Sequence, residues 1–339
     1  MASNNRPALL RAYMTRNSRQ SELHPILTSL NGDNSWLMSF PVPPGVEDPT
    51  MATSRKAYYH IVFDPWFESS GASVTVASWL IWVALAVPST TIHNGEDIEQ
   101  IAREIERSVG TAGNDEEEPR GEGEDNEHER MVDCIIISSR VTDHLHEASL
   151  RKFDRRIPVV AVPDAAAVLQ GWDYFETVVA MKDMGGDDDG TDWQDLHPNG
   201  PLPGWLTPFR LRESVQNYAI VIVWSHGDLL ASEDSGPSRH EALWISPHGM
   251  HLDSPPFQAF LRDTTKTVDV LAMLHPLKDS FAFGWQTVLG VTGGLADMPR
   301  TLKWGLEKEE WTAQEKGEAV VERRPNLVEV NSGESLVLE

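Results

Sequence analysis

The chain has 339 residues, 40% of them hydrophobic, with 12 Trp and a single cysteine, enough apolar material for a substantial core in one large domain. Its 52 acidic residues against 28 basic ones leave a formal charge of −24; that surplus repels a phosphate backbone and excludes nucleic acid as an expected partner. One cysteine cannot build an intrachain disulfide framework, so a reducing, cytoplasmic setting is expected, with Cys134 in its Ile run as a small buried hydrophobe.

Residues 1–22 are polar, lack the continuous apolar segment of a signal peptide, and read as a flexible N-terminus. The main domain is expected over 23–312, followed by a tail over 313–339. Two short apolar runs flank Asn31-Gly32-Asp33-Asn34, turn residues that tolerate positive φ, which predicts a β-hairpin. "AYYHIVFDPWF" reads as the next strand, closed by Asp64-Pro65. The stretch 71–88, "GASVTVASWLIWVALAVP", is interrupted by Ser73, Thr75 and Ser78 and ends at Pro88. Its apolar part is short of the ~18–20 residues that cross a bilayer, so no membrane contact is expected. It reads as a buried element, or as an apolar lid with Trp79 and Trp82 over a pocket.

In "EDIEQIAREIERSV", Ile98, Ile101, Ala102, Ile105 and Val109 recur on one face of an amphipathic helix. The Gly- and Glu-rich run 110–130 that follows has almost no apolar content and is expected to be a disordered acidic insertion. Next come a strand at "VDCIIISS", a helix from about Asp143 to Phe153, a strand at "IPVVAVP", a helix at "DAAAVLQGW" and a strand at "FETVVAM". A loose loop is expected over 184–204. Strands at "YAIVIVWSH", "EALWISPHG" and "VDVLAMLHP", with a helix near "PPFQAFLRDT", complete an α/β layered chain with two sheets.

The residues with most chemistry follow the Ile run: Asp143, His144 and His146 stand within four positions at a predicted strand end. Such groups hold metals or move protons. The plainer reading makes Asp143 a helix N-cap and the two histidines ordinary helix residues. Later strand ends offer His248 and His251 in "SPHGMH" and His275 in "AMLHP", while Trp66 and Trp244 stand beside strand ends where pocket walls form.

The order of elements resembles the metallo-β-lactamase superfamily, in its lactonase-like branch. "LNGDNSWLMSF" is similar to that family's opening hairpin, "IVFDPWF" to its third strand, "VDCIIISSRVTDHLHEASL" to its metal loop and "ALWISPHG" to a later ligand-bearing strand. The resemblance runs from about Ile26 to Val291 and implies a four-layer αββα sandwich. The family's His-x-His-x-Asp-His loop is degenerate here: Asp143-His144 match its end, while Ser139 and Val141 stand where its first two histidines belong. Pro247-His248 replaces the bridging carboxylate, and the final histidine has no match.

What the resemblance implies is a hydrolase for a small, largely apolar ester, lactone or thioester. Its metal site is reduced to one ion (zinc, manganese or iron) on Asp143, His144, His248 and His146. Asp143, His144 and His248 would be catalytic, and Ser139, Trp66, Trp79, Trp82, Trp244, His251 and His275 would line the pocket. Two alternatives stay open. A metal-free pocket would do acid–base chemistry as a lyase, dehydratase or cyclase on an aromatic or polyketide-like intermediate; a non-catalytic fold would bind or scaffold. A small-molecule partner is expected, with room for a homo-oligomer.

Overall fold

The computed structural model describes residues 6–17, 23–32, 34–44, 56–67, 72–73, 82–83, 92–112, 130–185, 192–214, 217–225, 240–247, 249–251, 253–274, 281–282, 285–286, 330 and 332–338. In chain order the elements are α1 (Arg6–Asn17), β1 (Ile26–Ser29), β2 (Trp36–Pro41), β3 (Tyr58–Phe63), β4 (Ala72–Ser73), β5 (Trp82–Val83) and α2 (Gly95–Ala112). They continue with β6 (Val132–Ile137), α3 (Glu147–Leu150), β7 (Val159–Ala161), α4 (Pro163–Gly171), β8 (Val178–Ala180), β9 (Lys182–Met184), β10 (Leu206–Arg212) and β11 (Tyr218–Ser225). Last come β12 (His240–Ile245), α5 (Pro255–Asp263), β13 (Val268–Leu274), β14 (Phe281–Ala282), β15 (Trp285–Gln286) and β16 (Ser335–Val337).

Two sheets dominate. The first runs in the order β16-β1-β2-β3-β6-β7-β8 and the second β13-β12-β11-β10-β9, with β4-β5 and β14-β15 as separate ribbons. The hairpin forms as the sequence predicts: β1 and β2 pair antiparallel, with Gly32 at φ +71° in the turn, a value that glycine reaches without a Cβ clash. From β3 onward the first sheet is parallel, β3 to β6 to β7 to β8. Parallel neighbours need crossovers, which α2, the segment with α3, and α4 supply in turn, so the C-terminal ends of β3, β6 and β7 point the same way.

The second sheet shows why its strands read as continuous apolar runs. Along β11, Tyr218, Ile220, Ile222 and Trp224 belong to the core shared with the first sheet. Ala219, Val221 and Val223 face a second core with Trp193, Trp244 and Phe260. A strand buried on both faces has no polar alternation. Phe40 of β2 meets Trp224 of β11 at 5.1 Å between ring centroids, so the sheets pack face to face, and Trp244 meets Phe260 of α5 at 5.2 Å on the opposite side. The molecule is thus a mixed α/β sandwich of two sheets flanked by helices.

Helix α2 buries Ile98, Ile101, Ala102 and Ile105, the stripe expected from its periodicity. Asn94 accepts from the Asp97 N–H at 3.0 Å while Asp97 reaches back to the His93 N–H at 2.7 Å, a reciprocal N-terminal cap. Its inward carboxylates satisfy strand starts. Glu106 accepts from the N–H groups of Ala57 (2.8 Å) and Tyr58 (2.9 Å), and Glu99 from that of Met131 (2.6 Å). Burial pushes the Glu99 carboxyl up, against the lowering pull of these donors.

Several expectations are corrected. Arg6–Asn17, assigned to a flexible N-terminus, is a helix; Arg6 is buried and donates to Glu104 of α2 at 2.8 Å and to the Gly333 carbonyl at 3.0 Å. The tail contributes Ser335–Val337 to the edge beside β1. In the loop set at 184–204, residues 193–196 form a 3₁₀ turn capped by Asp192, with Trp193 and Leu196 buried. Strand β10 carries Pro208, a residue that argues against a central strand, and this hid it from the sequence reading. The run 110–130 contributes 110–112 to the end of α2, and 113–129 lie outside the described residues, as do most of 71–88.

Glu106→Ala strips charge-assisted acceptors from two strand N–H groups, and the expected cost is about 1–3 kcal/mol. Urea unfolding checks this through a lower midpoint at unchanged slope; an unmoved midpoint would show that α2 does not hold the start of β3.

Candidate functional site

The parallel strand ends place a compact polar cluster between the sheets. Asp64, the residue after β3, is fully buried with φ +43°. Aspartate tolerates that left-handed region better than most residues, at a cost of order 1–3 kcal/mol, and such backbones concentrate at functional sites. The ladder to β6 sets the bend, because the Asp64 N–H still donates to the Ile136 carbonyl at 3.0 Å. The hairpin turn braces it from behind. Ser35 donates its hydroxyl to the Asp64 carbonyl and accepts from the Trp66 N–H at 3.1 Å, while the Asn31 amide donates to the Trp66 carbonyl at 3.1 Å.

The Asp64 carboxylate then gathers the loop after β6. Oδ1 accepts from the Ser138 N–H at 2.8 Å, and Oδ2 accepts the Ser138 hydroxyl and lies 2.7 Å from His144 Nδ1. A carboxylate only accepts, so Nδ1 carries a proton, and in the neutral form of the ring the lone pair is on Nε2. Nε2 lies 3.8 Å from Asp143 Oδ2. His144 is fully buried, whereas the Asp143 side chain is 15% exposed and forms the outer edge of the pair. Tyr218, first residue of β11, reaches Ser138 Oγ from the second sheet at 3.1 Å.

Asp143 and His144 are thus brought together, but on a turn rather than a helix: His144 and Leu145 both donate to the Val141 carbonyl. The helix expected from Asp143 starts at Glu147, and its cap is His146, whose Nδ1 accepts from the Ser149 N–H at 3.3 Å and lies 2.8 Å from Ser149 Oγ. The helix-cap reading of Asp143 is corrected accordingly. His146 has its Nδ1 committed to this cap, and its ring sits 6.4 Å from that of Trp66. Ser139 is buried, its hydroxyl accepting from the Val141 N–H at 3.2 Å.

The remaining expected residues are scattered. Trp244 packs between the second sheet and α5, edge-on to Phe257 and Phe260, as core. His251 is half-exposed, hydrogen-bonded through Nδ1 to Glu213 just beyond β10. Trp79, His248 and His275 lie outside the described residues, and Trp82 is described only as part of β5. Sequence reading missed Asp64, Ser138 and Tyr218 as site residues. The Asp-Pro after "IVF" was a signal for the first, whereas nothing local marks Tyr218. A cavity of about 150 Å³ lined by Arg6, Ile92, Asp97, Gln100, Ile101 and Glu104 shares no residue with this cluster.

Metal binding can be tested on the donors present. Asp143 and His144 supply two, and catalytic zinc takes three from protein. No group of three metal-binding side chains occurs among the described residues. No helix among them is long and apolar enough to cross a membrane. Burial pushes the Cys134 thiol well up, as befits an inert core residue.

No protein-family model matches the chain, and no curated protein matches it. Two solved structures do. One is an isothiocyanate hydrolase from Delia radicum gut bacteria, at 10% identity and TM-score 0.30, over 70% of this chain and 68% of that one. The other, described as a possible metal-dependent hydrolase from Veillonella parvula DSM 2008, has 8% identity and TM-score 0.41, over 94% of this chain and all of its own. At these identities and TM-scores neither likeness bears on activity.

The hydrogen bond and charge of Glu213 push the His251 pKa up. A raised folded value means the pair contributes in full below the ordinary histidine value of about 6.5 and fades as pH climbs through the raised one. An NMR titration of His251 is expected to give a midpoint above the ordinary value, falling back in Glu213→Gln; equal midpoints in both would contradict the pairing.

Proposed function

We propose that this chain is a hydrolase for a small, largely apolar ester, lactone or thioester, on a divergent metallo-β-lactamase-like αββα sandwich. One observation carries the reading: a buried carboxylate, Asp64, holds His144 Nδ1 at 2.7 Å at the C-terminal ends of parallel strands, where open α/β sheets place their sites. The helix–sheet–sheet–helix layering supports the fold assignment.

In this reading His144 Nε2 takes a proton from water as the water oxygen bonds to the acyl carbon, and Asp64 stabilises the imidazolium. The acyl C–O or C–S bond then breaks, and the imidazolium returns the proton to the departing alcohol or thiol. Water would enter beside Asp143, whose buried Oδ1 has no hydrogen-bond partner among the described residues and would orient it. Asp143 and His144 are the residues that would hold a metal. The third donor would come from His248, outside the described residues, and no step is routed through an ion. The same Asp64–His144 pair also serves a second reading, in which the base removes a carbon-bound proton in a lyase or cyclase reaction.

His144→Gln is expected to lower kcat/KM at least about a thousandfold on whichever ester, lactone or thioester the wild type turns over, with an unchanged circular dichroism spectrum. Unchanged turnover would overturn the reading. Dialysis against a chelator separates the two ways of activating water: retained activity is the expected result. Loss restored by zinc, manganese or iron would make Asp143 and His144 ligands instead of acid–base groups.

A further inference from the structure

Acyl hydrolysis needs more than a base. As water adds to the acyl carbon, negative charge grows on the acyl oxygen, and stabilising it takes a hydrogen-bond donor already in place. Asp143 is a carboxylate and only accepts, and His144 is the proton acceptor of the proposed reaction. An unused donor stands at the same strand ends. The indole Nε1 of Trp66 is buried and has no hydrogen-bond partner among the described residues. An indole N–H can only donate, and leaving a buried donor without an acceptor costs stability that a fold seldom gives up without a use. Trp205 and Trp244 also bury Nε1 atoms without partners among the described residues. Their rings are core, Trp205 packing on Tyr59 and Trp244 on Phe257 and Phe260. Trp66, by contrast, follows Asp64 after a single proline, which keeps the two within ~7 Å along the chain.

The main chain of Trp66 is clamped on both sides. Its N–H donates to Ser35 Oγ at 3.1 Å, and its carbonyl accepts from Asn31 Nδ2 at 3.1 Å. The side chain is buried, with its ring 6.4 Å from that of His146 in the loop that carries His144. The hairpin turn that braces Asp64 thus holds the indole as well, and a donor fixed in advance needs no reordering when charge develops. Asp143 Oδ1 is its counterpart, a buried acceptor without a partner among the described residues. We infer that Trp66 is a catalytic residue: its Nε1–H donates to the acyl oxygen of the substrate, in a hydrogen bond that strengthens as charge grows there, while Asp143 orients the attacking water. The indole keeps its proton throughout. This role rests on the hydrolase reading and supplies the electrophilic half that the Asp64–His144 pair lacks.

The probe is methyl butylphosphonate, a tetrahedral anion shaped like the adduct of water with a small ester. Wild-type protein with nitrogen-labelled tryptophan is titrated with it and followed by NMR. The Trp66 indole signal is assigned by its loss in Trp66→Phe, or by its proximity to the His146 ring protons if that variant does not fold. The Nε1–H proton is expected to move downfield and to saturate, as its hydrogen bond to the anion forms. A signal that stays in place overturns the inference. On p-nitrophenyl butyrate, Trp66→Phe is expected to lower kcat about a hundredfold with KM within about twofold, the pattern of a bond made chiefly in the transition state. A kcat within about twofold of wild type also overturns it, whatever the variant does to stability. If no ester is turned over, the hydrolase reading fails alone, and the indole signal still decides for or against Trp66 as the donor to a tetrahedral anion.

Discussion

The arrangement depends on one buried carboxylate. Asp64 is removed from water altogether, and isolating an ionised group in this way costs several kcal/mol unless it is paired and hydrogen-bonded. The chain meets that cost with three donors from one loop: the Ser138 N–H, the Ser138 hydroxyl and His144 Nδ1. The left-handed backbone at Asp64 adds to it, and the hairpin turn offsets it through Ser35 and Asn31. The loop after β6 is thereby tied to this pair of oxygen atoms, Tyr218 of the opposite sheet meets it through Ser138, and the β1-β2 turn braces the main chain of Asp64 and Trp66. A fold without a use for a charged group there would be expected to fill the space with apolar side chains.

The same constraint explains the form of the site. His144 is held by its inner nitrogen, so its outer nitrogen is directed toward Asp143 and the rim. The imidazole is buried, and the Asp143 side chain beside it is partly exposed. His146, two residues on, is drawn away from this centre by its cap on α3, although the sequence spacing suggested a shared role.

Much of this was legible, and the failures have physical causes. The hairpin, α2, the Ile run of β6 and the helix–strand alternation through β8 follow from turn residues and periodicity, which are local. Asp143 and His144 stood out because they are adjacent in sequence. Asp64 is 80 residues from His144, and its role depends on a backbone bend and a ladder that no local pattern reports. Tyr218 reads as one more apolar residue in a doubly buried strand, because only the register between sheets turns its hydroxyl toward Ser138. Trp244 shows the converse: its place at a strand end suggested a pocket wall, but strand alternation points it at α5. Ser139, expected in the pocket, is buried and accepts from the Val141 N–H. Pro208 hid a central strand that pairs on both sides.

The most direct test of the central pair is a double-mutant cycle on stability, with Asp64→Asn, His144→Gln and the double variant unfolded in urea. Two groups that compensate each other's burial are expected to couple by about 2 kcal/mol or more, the double variant being far less destabilised than the single losses combined. Losses that add to within about 0.5 kcal/mol would mean that Asp64 and His144 do not hold each other, and the account would fail at its base.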